Sequence, residues 1–231
     1  MTDKYQHIFF DLDRTLWDFE LNSKKVLLDI FRVFDLYKWV DEADTFVDRY
    51  KLINEDLWSL YRENKLTKEE LRWRRFADTL MHFGKNDESK AKEIGEYYVY
   101  HSPRQTALFP YSDEILNYLS TKYQLHIITN GFEEVQHIKL NQSKIDHYFN
   151  HVILSEKVGV KKPHPYIFKK AMQLAQSRSE NSLMIGDDWY ADVYGASRVG
   201  MDSVYFNPNK IKHNNSVKKE ISCLSELKTF L

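Results

Sequence analysis

The sequence predicts an α/β fold: a parallel sheet interrupted, just after its first strand, by a helical insertion. Three observations carry this prediction. A short apolar run, residues 5–10, stands alone ahead of a long stretch with helical periodicity. Beyond Pro103, apolar runs of strand length alternate with helical segments, the pattern of parallel strands joined by crossover helices. Gly131, Gly159, Gly186, Gly195 and Gly200 lie in this second half, several at the ends of predicted elements where the chain must turn sharply.

The first strand ends at the acidic Asp11-Leu12-Asp13. From about Trp17 to Arg104, apolar residues recur at three- and four-residue spacing: Val26, Leu27, Ile30, Phe31 and Phe34, then Phe46, Tyr50, Ile53, Leu57 and Leu60, then Leu71, Phe76 and Leu80. Thr67, with Glu70 three residues on, reads as a capping box opening the third helix. A fourth helix is expected over about 88–100, giving a bundle of about four helices. A helix over 112–119 then precedes a strand over 125–129 and the turn Asn130-Gly131. A helix through about Leu140, a strand over 151–154 and a helix over 165–175 follow. A strand over 183–185 runs into Gly186-Asp187-Asp188, then a helix to about Val199 and a fifth strand over 203–206. The polar stretch 207–219 reads as a loop. The expected domains are therefore a core of 1–16 and 106–231 and a cap of 17–105, with hinges near 16–19 and 103–109.

Composition bounds the function. The 231 residues are 42% hydrophobic and 29% charged, as expected of a soluble globular protein. A net charge of -1 supplies no field for a nucleic-acid polymer and no polybasic membrane anchor, although a single nucleotide stays open as a substrate. Cys223 is the only cysteine, so no intrachain disulfide can form, which fits a cytoplasmic location. No secretory pattern is seen in residues 1–15 and no apolar run reaches membrane-spanning length.

Ligands of parallel α/β sheets bind at the carboxyl ends of the strands. Polar clusters sit at four such ends: Asp11/Asp13/Thr15, Thr129-Asn130-Gly131, Lys161-Lys162-Pro163, and Asp187/Asp188 with Asp192. Carboxylates converging on one crevice disfavour each other's ionisation. A hard divalent cation relieves that repulsion, and magnesium is commonly held by one or two carboxylates plus substrate phosphate.

These segments resemble the four motifs of the haloacid dehalogenase superfamily, in its phosphatase form with an inserted helical cap of the C1 type. Ile8 to Leu16 is similar to the first motif, Ile127 to Gly131 to the second, Gly159 to Pro163 to the third, and Met184 through Asp192 to the fourth, all in order. The resemblance implies a Rossmann-like sheet of order 3-2-1-4-5 with helices on both faces. It implies a magnesium-dependent phosphomonoesterase in which Asp11 is the nucleophile and becomes an aspartyl-phosphate. Asp13 would be the general acid and then base. Magnesium would be held by Asp11, the Asp13 carbonyl and Asp187, with Asp192 and Asp188 on its waters. Thr129, the Asn130 and Gly131 amides, and Lys162 would bind the phosphoryl oxygens, Lys162 rather than Lys161 because it directly precedes the proline. Arg14 departs from the glycine commonest at its position. The Thr129 to Phe132 and Ser155 to Val160 segments, with 54–67 of the insertion, are similar to the house-cleaning pyrimidine 5′-nucleotidases. The expected substrate is accordingly a small phosphomonoester, a pyrimidine nucleoside 5′-monophosphate, handled by a monomer or weak homodimer.

Other readings stand beside these. Asp-x-Asp-x-Thr also marks turns and helix caps. Asp188 fits either a role near the cation or a helix N-terminal charge. Trp17, Phe19, Trp58 and Tyr61 suit either core packing or a pocket for a flat ring. The histidines show no metal-ligand spacing and read as surface or core residues. The activity alternatives are a phosphatase of small sugar phosphates or phosphoglycolate, and a non-catalytic phospho-ligand-binding regulator. A dehalogenase on this fold would lack the acid at Asp13.

Overall fold

A computed structural model describes residues 4–231; the first three residues of the expected core segment lie outside it. The strands are β1 (His7–Phe10), β2 (Gln124–Thr129), β3 (Phe149–Leu154), β4 (Ser182–Gly186), β5 (Asp202–Phe206) and the two-residue β6 (Glu220–Ile221). They form one parallel sheet of order β3-β2-β1-β4-β5-β6. The expected order therefore holds, extended at its edge by β6, which pairs Phe206 with Ile221. Two residues inside a polar stretch are too few to show a period, so β6 left no sequence signal.

All four residues of β1 are buried, because a parallel strand has helices over both of its faces. Alternation sends Ile8 and Phe10 to one face, against Ile115, Leu116, Leu119, Ile127 and Ile185. Phe9 goes to the other, against Ile128, Ile167, Phe168 and Met184. In register, Phe10 lies between Ile127 of β2 and Ile185 of β4, so Asp11 is the first residue to leave the sheet at its centre.

By its contacts the chain divides into two compact units: the described chain up to Phe19 together with Thr106–Leu231, and Glu20–Gln105. The second unit is built from α1 (Phe19–Val33), α2 (Ala43–Arg62), α3 (Lys68–His82) and α4 (Glu88–His101). Thr67 and Glu70 form the expected capping box, each accepting from the other's backbone N–H, at 3.1 and 2.9 Å. The unit's core joins Val26, Leu27 and Ile30 to Phe46, Tyr50, Phe76, Leu80, Ile94 and Tyr98. Buried Arg75 lies 4.6 Å over the Tyr98 ring and donates to Asn54, so its charge is met within the unit. Trp58 and Tyr61 meet edge to face, with ring centroids 5.4 Å apart. Among the described residues no helix is long and apolar enough to cross a membrane.

The remaining elements of the first unit are α5 (Ser112–Ser120), α6 (Glu133–Gln142), α7 (Ser155–Val158), α8 (Pro165–Ala175), a π-helical turn over Trp189–Tyr194, and α9 (Gly195–Ser197). The regular helix expected after Asp188 is thus a wide turn running into a short helix.

Three histidines stack across neighbouring strands. The His126 ring lies 5.5 Å from His7 and 5.4 Å from His151, and 4.7 Å from Phe9. Burial, with the neighbouring His7 and His151, pushes the His126 imidazole down to about 3. The unfolded chain takes up that proton below about 6.5 whereas the folded chain resists it until about 3, so stability is lost as the pH drops through this window. Replacing His126 by Leu should flatten the curve. Urea titrations between pH 4 and 7 should show wild type losing up to about 1 kcal/mol per pH unit relative to His126→Leu, and parallel curves would refute the account.

Candidate active site

The site is assembled where β1, β2 and β4 end. Asp11 N donates to Ile185 O at 2.9 Å, and the next residues fold into a tight turn, Leu16 and Trp17 both donating to Leu12 O at 3.0 and 2.9 Å. Arg14 adopts a left-handed conformation, φ 65°. That explains why a glycine is at home at this position, and it makes the arginine strained. Buried Thr15 donates its hydroxyl to Asp187 Oδ1 at 3.1 Å.

From β4 the chain passes Gly186 into Asp187 and Asp188. A Cβ on Gly186 would overlap the Asp192 carboxylate, so the glycine makes room for it. The wide turn brings Asp192 back toward the strand end, where its Oδ2 accepts from Asp188 N at 3.2 Å. Asp11, Asp187 and Asp192 each offer an oxygen, and these atoms all lie within 4.8 Å of one another. Asp192, expected to act through water, contributes an oxygen to this cluster. Asp188 turns its carboxylate to the backbone, accepting from Tyr190 N and Ala191 N at 2.9 Å each. These are the bonds of a helix N-terminal cap.

Lys162 meets this cluster with its ammonium 2.6 Å from Asp11 Oδ1 and 2.7 Å from Asp192 Oδ1. The Asn130 amide fixes it: Nδ2 donates to Lys162 O at 3.0 Å, and Oδ1 accepts from Lys162 N at 2.8 Å. Two of the three carboxylates share this ammonium, and the titration behaviour follows. Burial raises Asp11 despite the lysine beside it. Burial and the Asp11 and Asp192 charges hold Asp187 well above the usual carboxylate range, with Arg14 opposing them. Burial also pushes Asp192 up to about 7. Burial opposes the charge on Lys162, but Asp11 and Asp192 outweigh it and raise the ammonium above its ordinary value. Lys161 is not part of this cluster; burial lowers its ammonium, against the Glu156 charge.

Asp13 faces elsewhere. Its Oδ1 takes an ion pair from Lys139 Nζ at 2.5 Å and its Oδ2 a hydrogen bond from Gln136 Nε2 at 2.8 Å. The Gln136 amide also donates to Thr129 Oγ1 at 2.6 Å, as does Gly131 N at 3.0 Å. With both acceptor positions of that hydroxyl filled, its O–H is the group left for a phosphoryl oxygen. The Gly131 amide, expected to face phosphate, is engaged with Thr129 here, and the missing Cβ of Gly131 leaves space for Gln136. Trp17 is fully buried in the core, under Lys139 Nζ at 4.4 Å, so packing is its role. Gln136, Lys139 and the side chain of Asn130 escaped the sequence reading. The available signal was the i, i+3 spacing of Gln136 and Lys139 on the helix after Asn130-Gly131.

The donor set of carboxylates with a neighbouring hydroxyl is hard and all oxygen, the kind that suits magnesium. The sequence matches the haloacid dehalogenase-like hydrolase family over residues 8–206. The chain belongs to that family. It is 29% identical over 216 residues to the pyrimidine 5′-nucleotidase PynA of Streptococcus pneumoniae, an alignment covering 93% of this chain and 89% of the relative. A glyceraldehyde 3-phosphate phosphatase of Pyrococcus abyssi is 48% identical over 88 residues, 38% of this chain and 37% of that one. The magnesium-bound hydrolase YfnB of Bacillus subtilis superposes with a TM-score of 0.89 at 26% identity, over 98% of both chains. This family member is a hydrolase whose relatives act on small phosphate esters.

The cap assigned to Asp188 is testable by substitution. Asp188→Ala should cost about 1 kcal/mol in urea unfolding, the usual cost of losing an N-cap, and Asp188→Asn, whose amide oxygen still accepts both N–H groups, should cost a few tenths. Equal losses in the two variants would assign the effect to charge rather than capping.

Proposed function

We propose that this hydrolase cleaves phosphomonoesters through an aspartyl-phosphate on Asp11, with a pyrimidine nucleoside 5′-monophosphate as the favoured substrate. The observation that carries the reaction class is the placement of Asp11 at the end of the central strand, within ligand distance of Asp187 and Asp192 and paired with Lys162. The substrate reading rests on the likeness to PynA across 93% of the chain. The match to the glyceraldehyde 3-phosphate phosphatase supports a second reading, a sugar-phosphate substrate, but over 38% of the chain.

The residues divide the work simply. An Asp11 oxygen attacks phosphorus as the ester oxygen leaves with the proton of Asp13. The Asp13 carboxylate then takes a proton from water, which attacks the aspartyl-phosphate and frees Asp11. Splitting one hard displacement in two lets a single carboxylate pair serve both halves. Lys162 orients the Asp11 carboxylate and, with the Thr129 hydroxyl, offers donors to the phosphoryl oxygens. Asp11 and Asp187 would hold magnesium, with Asp192 adjoining them, and the ion would neutralise charge on the phosphoryl group when bound.

Phosphate release from nucleotides and sugar phosphates, with magnesium and with chelator, tests the reading. Asp11→Asn should lower release by about 1000-fold or more, since no covalent route remains. Pyrimidine nucleoside monophosphates should rank first; sugar phosphates ahead of every nucleotide would select the second reading. Magnesium should also stabilise the fold, by about 2.7 kcal/mol at a hundred times its Kd. Because protons held on Asp187 and Asp192 compete with the ion, that gain should be larger at pH 8 than at pH 5.5 and vanish in Asp187→Asn. Thermal unfolding with and without magnesium at both pH values measures it.

A further inference from the structure

Helix α6 has an unusual inner face. Its buried residues are Gln136, Lys139 and Leu140, so two of the three groups it buries are polar. Lys139 is 5% exposed and Gln136 wholly covered, and both aim at Asp13. A carboxylate only accepts, so the amide NH2 of Gln136 must face it. That orientation leaves Gln136 Oε1 buried and without a hydrogen-bond partner. Three further features hold the two donors in place. The Lys139 ammonium rests 4.4 Å over the buried Trp17 ring. The Gln136 amide is also tied to Thr129 Oγ1. And Gly131 has no Cβ where the Gln136 side chain passes. Apolar side chains would satisfy the packing of such a face at lower desolvation cost, and a buried ion pair is weak evidence for stability. Its retention needs another reason.

We propose that Lys139 and Gln136 are positioning residues for Asp13, gripping one carboxylate oxygen each so that the remaining lone pairs, or the proton, are presented to the ester oxygen and then to water. This rests on the acid–base reading of Asp13. As the Asp11–phosphorus bond forms and the phosphorus–ester oxygen bond breaks, the Asp13 proton passes to the departing oxygen. The carboxylate left behind is the species the two donors of α6 are arranged to receive. The bond from Gln136 to Thr129 joins this device to the phosphate-binding hydroxyl, so one side chain sets the position of both.

The leaving group supplies the test. A p-nitrophenolate leaves without a proton, whereas the alcohol of an alkyl phosphate requires one, and kcat/KM reports only steps up to formation of the phosphoenzyme. For the best alkyl phosphate of the panel, Lys139→Met should lower kcat/KM by about 10- to 100-fold, and for p-nitrophenyl phosphate by less than about 3-fold; Gln136→Leu, which also releases the Thr129 hydroxyl, should lower both, with the larger loss on the alkyl phosphate. Lys139→Arg should recover much of the alkyl activity. Asp13→Asn should show the same discrimination, and adding Lys139→Met to it should cause no further loss, because Lys139 acts only through Asp13. Should Lys139→Met fail to fold, Lys139→Gln carries the comparison with a neutral donor. Equal losses on both esters, no loss on either, or additive losses in the double variant overturn the inference. Asp13→Asn treating both esters alike would instead overturn the acid–base reading, so the two failures are distinguishable.

Discussion

Three clustered carboxylates, two of them buried, set against one buried ammonium are the constraint around which the first unit is organised. Asp11, Asp187 and Asp192 come from the ends of β1 and β4 and from the turn beyond, and Lys162 comes from the loop after α7. Removing charged groups from water costs several kcal/mol each unless they are paired, and one lysine cannot pair three carboxylates. The neighbourhood shows what holding them requires. Gly186 gives up its side chain to admit Asp192, Thr15 donates to Asp187, Asn130 grips the backbone of Lys162, and Asp188 anchors the turn that returns Asp192. The carboxyl groups still resist ionisation, which is a reason for an oxygen-ligated cation to bind here.

Asp13 is kept out of this crowd. Two residues from Asp11 in sequence, it is paired with its own lysine, so the chain carries two separately balanced charge groups side by side. The separation fits the proposed division of tasks, with Asp11 ionised against phosphorus and Asp13 gaining and losing a proton. It depends on α6, which begins directly after Asn130-Gly131-Phe132 and can therefore place side chains beside Thr129 and Asp13 at once.

The helical unit is held on different terms. Its core is aromatic and aliphatic, and its buried arginine is met by Asn54 and two rings instead of by a carboxylate. Its surface charges form pairs such as Lys24 with Asp44 and Lys92 with Glu88. Such exposed pairs contribute little, so this unit rests on burial and helix capping.

Much of this was legible in the sequence. The alternation of β1 and the Thr67 capping box follow from periodicity and local hydrogen bonding that a few adjacent residues specify, and the strand order from the resemblance to the family. The family is written in four ordered segments, and each candidate carboxylate could be assigned to a strand end because loops start where apolar runs stop. Distances were beyond reach. That Asp188 faces the backbone while Asp192 reaches the cluster depends on a wide turn, a choice that sequence spacing does not encode. The edge strand β6 forms only because β5 offers it a partner. Gln136 and Lys139 are polar residues that only the packing of α6 buries, Lys139 over Trp17. Local periodicity sets most of the helices and strands, with β6 and the wide turn as the exceptions. Only the tertiary structure decided which charges share a site, because that depends on contacts between segments far apart in the chain.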